Sequence, residues 1–186
     1  MTSIIKADNI STVSGSGNIT IPTGVKVIGT DSASIVAPGH VLQTVQSKWY
    51  GNQDTNNTSY VAVDDSLVTI TPKYANSQLL IRYSIHQYCR NGALHGIAPY
   101  FYVPSTGTWN AFTSQTSFNE VVRVANGNTN LVIWGMQHFE FLIGVPGNGT
   151  EQVSFKVYHR TSDASLSVRI NDNGPGSSIA VQEIAQ

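Results

Sequence analysis

The segment QLLIRYSIHQYCR, Gln78–Arg90, constrains the fold more than any other part of the chain. Leu79, Ile81, Tyr83, Ile85 and Cys89 fall on one side at period two, and Arg82, Ser84, His86 and Arg90 fall on the other. A helix would mix the two sets, whereas a half-buried β-strand separates them in this way. Such a strand cannot stand alone. It needs pairing partners along its edges and a second sheet over Leu79, Ile81 and Tyr83.

The rest of the chain supplies them. Strand patterns recur at 41–50, 60–63, 67–71, 96–103, 118–124, 131–145, 151–160, 166–170 and 178–184. Turn signals separate them: Asp64-Asp65, Asn91-Gly92, 104–107, Asn126-Gly127 and Pro146-Gly147-Asn148-Gly149. Residues 52–59 read as a polar loop. About ten strands with no helical segment predict an all-β fold, an antiparallel two-sheet sandwich in preference to a closed barrel. Several strands carry large apolar or aromatic residues on both faces, as with Ile97, Tyr100 and Tyr102 against Phe101 and Val103. A monomeric sandwich with wet outer faces does not need both, so self-association is expected.

Residues 1–40 differ in kind from the head at 41–186. Short alternations such as Ile19-Thr20-Ile21 and Val25-Lys26-Val27-Ile28 are punctuated by Gly15, Gly17, Pro22, Gly24 and Gly29, and none lasts long enough to bury a face. Ile4, Ile5, Ile19, Ile21, Val25 and Val27 are more apolar than a solvated tail requires. An extended N-terminal arm that anchors the head to a larger body is the expectation.

The same reading weighs against several functions. Charged residues make up only 11% of the chain, the net charge is -1, and the basic residues are scattered, so a nucleic-acid partner is not expected. Cys89 is the single cysteine, which rules out an intrachain disulfide and predicts a buried thiol acting as a small hydrophobe. No apolar run reaches the length of a membrane span, and MTSIIKADN lacks the features of a signal peptide. Synthesis in a cytoplasm, with exit by a route such as lysis, is therefore expected.

His40, His86, His95, His138 and His159 have no metal-binding spacing. Asp64-Asp65 and Asn171-Asp172-Asn173-Gly174 resemble fragments of a calcium loop but lack the bidentate glutamate, and they read as turn residues bonding nearby backbone. Glu120, Glu140 and Glu151 could meet in space as paired carboxylates, but nothing in their spacing says so. A non-enzymatic protein with no cofactor and no metal is the expectation. Trp109, between turn signals at 105–110, is the candidate ligand contact: its indole could stack on a sugar ring or a partner, or fold back as a lid.

Taken together, the arm SGSGNITIPTGVKVIGTDSASIVAPG, the turn Pro72-Lys73-Tyr74-Ala75-Asn76-Ser77 leading into the long strand, the 151–160 strand and the ending IAVQEIAQ resemble small virion structural proteins of tailed bacteriophages. Those proteins carry a C1q/TNF-like trimeric jelly-roll head. The resemblance implies a homotrimer at the virion surface, attached through its arm to other virion proteins such as the major capsid protein or tail components. Capsid decoration (cement) or a short fibre would be its role. The alternative it leaves open is a host-saccharide-binding tail fibre or spike head, or a carbohydrate-binding module.

Overall fold

The computed structural model describes residues 38–90, 95–112, 132–171 and 174–186. The anchoring residues Ile4, Ile5, Ile19, Ile21, Val25 and Val27, and the strand expected at 118–124, lie outside them. The described residues form eleven strands and no helix: β1 Val41–Trp49, β2 Gln53–Thr55, β3 Val61–Ala62, β4 Val68–Ile70, β5 Gln78–Arg90, β6 His95–Tyr102, β7 Trp109–Ala111, β8 Val132–Gly144, β9 Val153–Thr161, β10 Val168–Ile170 and β11 Ser177–Ile184. All pairings are antiparallel, and they make two sheets.

β5 organises the first sheet. β8 pairs with it along all thirteen residues of one edge. On the other edge β11 pairs with 78–84 and β10 with 87–89. β1 then covers β11, and β2 covers β10. In the second sheet β3 and β4 share one edge of β9, β6 takes the other, and β7 lies beyond β6. The chain crosses between sheets at β2–β3, β4–β5, β5–β6, β7–β8, β8–β9 and β9–β10, so most strand neighbours are distant in sequence. That is the connectivity of a jelly-roll sandwich.

The core lies where the two inner faces meet. Leu79, Ile81, Tyr83 and Ile85 of β5 are buried, as are Ile179 and Val181 of β11. Ile70, Ile97, Val153, Phe155 and Val157 of the second sheet join the same cluster. Each such side chain contributes about 1.5–3 kcal/mol by leaving water. The phase of β6 differs from the sequence expectation: Ile97 joins Phe101 and Val103 on the inner side, and only Tyr100 and Tyr102 point outward. β2 and β7 were also not expected. Gln-Asp-Thr and Trp-Asn-Ala are too short to show a period, and their strand geometry comes from the ladders of β10 and β6.

Asn171 breaks β10 from β11. It sits at φ 61°, a left-handed conformation that asparagine tolerates better than most residues. Its side chain satisfies the backbone left open there, donating to Trp49 O at 3.1 Å and Gly51 O at 3.3 Å, while Ser177 Oγ donates to Asn171 Oδ1 at 2.6 Å. Ser177 Oγ in turn accepts from His86 N at 2.9 Å. At the other end of the sandwich Gly149, at φ +86°, packs so closely on Ala75 that a Cβ would stand 2.6 Å from that residue's Cβ. Only glycine fits there.

The turn between β4 and β5 is held by a buried carboxylate. Glu183 accepts from Ser77 Oγ at 2.6 Å, Gln43 Nε2 at 2.6 Å, Lys73 N at 2.8 Å and Tyr74 N at 3.1 Å. Burial pushes its pKa up, but these donors together outweigh burial and hold it below the usual value. Glu183→Ala strands several buried donors and is expected to cost about 3 kcal/mol, with Glu183→Gln costing less, as read by denaturant unfolding. Equal stability of all three proteins would contradict this account.

A buried histidine pair joins β6 to β9. His95 Nε2 and His159 Nδ1 are 3.3 Å apart, and neither residue is exposed. Burial holds both imidazoles neutral: His159 titrates down at about 4, and His95 lies well below 6.5, lowered by burial and further by His159. Below pH 6.5 the unfolded chain protonates both and the folded chain does not, so stability falls as pH drops. For His159 alone the loss levels off near pH 4 at roughly 3 kcal/mol. Unfolding free energy measured from pH 7.5 to 5 is expected to decline below pH 6.5, and the decline should shrink in His159→Gln; a flat profile would contradict the assignment.

Candidate functional site

The outer face of the second sheet carries a band of aromatic rings. On β6, Gly96, Ala98, Tyr100 and Tyr102 alternate outward; on β9, Ser154, Lys156, Tyr158 and Arg160 do the same. Tyr60 lies beside β3, and Trp109 on β7 pairs with Tyr102. The small residues under the band let the large ones lie across the sheet: a Cβ on Gly96 would meet Arg160 Cγ at 3.0 Å and the Tyr60 hydroxyl at 3.2 Å. Ring centroids are 6.4 Å apart for Tyr60 and Tyr100, 4.1 Å for Tyr100 and Tyr158, 6.2 Å for Tyr158 and Trp109, and 5.5 Å for Trp109 and Tyr102. The Arg160 guanidinium lies 5.0 Å from the Tyr60 ring centroid. Burial raises the Tyr158 phenol above its ordinary pKa, and Tyr100 adds to the shift.

Trp109 therefore does not stand at a loop tip. It opens β7 and is half-buried against Tyr102 and Tyr158. The turn that sets it there is closed by Thr106 N donating to Val103 O at 3.0 Å, with Gly107 at φ +65°. Glu151 clamps the same turn, accepting from Ser105 Oγ at 2.6 Å and Ser105 N at 2.9 Å, and the Ser105 hydroxyl foremost holds its pKa below the usual value.

A second surface lies between β7 and β8, the outermost strands of the two sheets on this side among the described residues. Phe101, Phe112, Phe139, Phe141 and Ile143 point inward yet are only half-buried. Phe112 stacks on Phe141 at 5.0 Å, and Tyr83 on Phe139 at 4.8 Å. Phe101, Phe112, Ile143 and Pro146 help line a cleft of about 410 Å³ at this edge. The outer face of the first sheet is mixed: Arg82 pairs with Glu140 at 2.6 Å and reaches Gln182 at 3.3 Å, Ser84 bonds His138 at 2.9 Å, and Leu80 lies across from Leu142. Leu142, on that face of β8, is 56% exposed.

The other candidates separate. Glu140 serves Arg82 on one sheet's outer face and Glu151 serves the β6–β7 turn, while Glu120 lies outside the described residues. Among the described residues no three histidine, cysteine, aspartate or glutamate side chains converge as a metal site. No helix among them is long and apolar enough to cross a membrane. Asn171 bonds nearby backbone, as a turn residue does. Tyr60, Tyr100, Tyr102 and Tyr158 were not anticipated as a group. Their alternation is visible within β6 and β9, but only the strand order brings them together with Trp109.

A two-sheet antiparallel jelly-roll is the class these elements define. No family model matches the chain, and no curated protein matches it. Solved structures similar to it include the infectious bursal disease virus VP2 subviral particle, at 16% identity and a TM-score of 0.45 over 85% of this chain and 36% of that one. Particles with T=1 derived from infectious bursal virus match at 14% identity and a TM-score of 0.42, over 87% of this chain and 41% of that one. The chain thus spans well under half the length of these proteins, and at a TM-score below 0.5 the likeness carries no weight for function.

Cys89 is buried, as expected of a small hydrophobe. Burial pushes its thiol up to about 12, against a smaller opposing hydrogen bond from the His95 backbone. The folded protein is expected to resist dithionitrobenzoate at pH 8 until denatured. Rapid labelling of the native protein would contradict that placement.

Proposed function

We propose that the chain is a non-enzymatic virion structural protein of a bacteriophage: a homotrimer whose jelly-roll head projects from the particle and whose residues 1–40 attach it. Capsid decoration and a short fibre are the two forms this role can take. The major capsid protein or tail components would be the partners of the arm. The observation that carries the reading is the β7–β8 edge, where Phe101, Phe112, Phe139, Phe141 and Ile143 fill the inter-sheet space but remain half-buried. Half-buried apolar surface between two sheets is what a second subunit covers. The jelly-roll strand order is consistent with the resemblance to C1q/TNF-like heads, and the exposed Leu142 on neighbouring β8 extends the apolar edge onto the outer face.

Sedimentation equilibrium of the purified full chain is expected to give the mass of three subunits. Leu142→Asp, at a largely exposed position with little packing to lose in the single chain, should weaken the trimer and leave circular dichroism unchanged. A stable monomer at micromolar concentration would contradict the proposal. Copy number per particle then separates its two forms, many copies indicating shell decoration and few a tail appendage.

A further inference from the structure

The aromatic band on the second sheet is a different kind of surface from the β7–β8 edge. Its rings are half-buried, four of its five members are tyrosines, and none of the strongly exposed apolar residues, Val41, Tyr50, Leu67, Tyr74 and Leu142, belongs to it. A second copy seated there would have to desolvate four phenol groups and an indole N–H. Such rings with polar handles instead match a ligand that is apolar on one face and hydroxylated around its rim, and a pyranose ring is built that way.

Charge narrows the class. Lys156 stands directly across the ladder from Tyr100, Arg160 lies over Tyr60, and no carboxylate occupies an outward position of β3, β6, β7 or β9. Arg160 also donates to Thr58 O at 3.3 Å, which holds its guanidinium at the rim. The band crosses the four strands β3, β9, β6 and β7, about 14 Å from first to last at ordinary strand spacing, which suits a short run of sugar units over a single one. We propose that this face binds an acidic oligosaccharide, with Tyr100, Tyr158 and Trp109 stacking on sugar rings and Lys156 and Arg160 meeting the sugar carboxylates. The inference deepens the saccharide-binding alternative named above and does not require the trimer.

The test is a glycan array of uronic- and sialic-acid-bearing oligosaccharides with their neutral counterparts, probed with the full chain, followed by calorimetric titration of the best acidic member. Binding to acidic members is expected. Tyr158→Ala should weaken it at least about tenfold, the scale of one lost stacking contact, and Tyr74→Ser on a different surface should leave it unchanged. Because Tyr158→Ala removes packing as well, Lys156→Gln serves as the second variant. It removes the charge of a half-buried side chain while keeping most of its length, and should weaken acidic ligands while sparing neutral ones, with the loss growing less marked at high salt. An array without binding, or binding indifferent to both variants, would overturn the proposal. Oligomer dissociation by Tyr158→Ala without loss of glycan binding would also overturn it and assign the band to a second copy. A monomer that binds acidic sugars would remove the trimer and leave this site standing.

Discussion

β5 is paired on both edges through nearly its whole length, and the rest of the head depends on that double pairing. β8 satisfies one edge over thirteen residues, and β11 and β10 share the other. Its inward side chains, Leu79, Ile81, Tyr83 and Ile85, form the floor on which Phe155, Val157 and Ile97 of the second sheet rest. One strand thus fixes the register of three neighbours and the position of the opposite sheet. A slip of one residue would turn Arg82 and Ser84 into the core, so the hydrophobic pattern enforces the register.

That strand was also the most legible part of the sequence, because a clean period of two over thirteen residues admits one reading. β8, β9 and β11 were legible for the same reason. β2 and β7 were not, since three residues carry no period and their geometry is imposed by the strands beside them. The phase of β6 was misread at Ile97 because Gly96, Ala98 and Pro99 supply little contrast between the faces. Burial of polar groups was hidden as well: Glu183 alternates in sequence like a core residue and is accepted there only because the 73–77 turn brings four donors to it. His159 fell on the apolar face of its strand, but its partner His95 could be found only from the β6–β9 register.

The two candidate surfaces follow the same division. Trp109 could be picked out from its residue type, yet its setting depended on non-local pairing. What looked like an indole at a loop tip is one ring of a band assembled from β6, β7, β9 and the entry to β3. Half-buried apolar side chains gather between β7 and β8, while the outer face of the first sheet mixes the network of Arg82, Glu140, Gln182, Ser84 and His138 with the leucine pair Leu80 and Leu142.

Native-state hydrogen exchange resolved by residue bears most directly on the place given to β5. If that strand is the centre of the first sheet and the floor of the core, the amides of Leu79 through Cys89 exchange only through global unfolding, while β2, β3 and β7 open first. Exchange in β5 as fast as in those short strands would show that the sandwich is held together elsewhere.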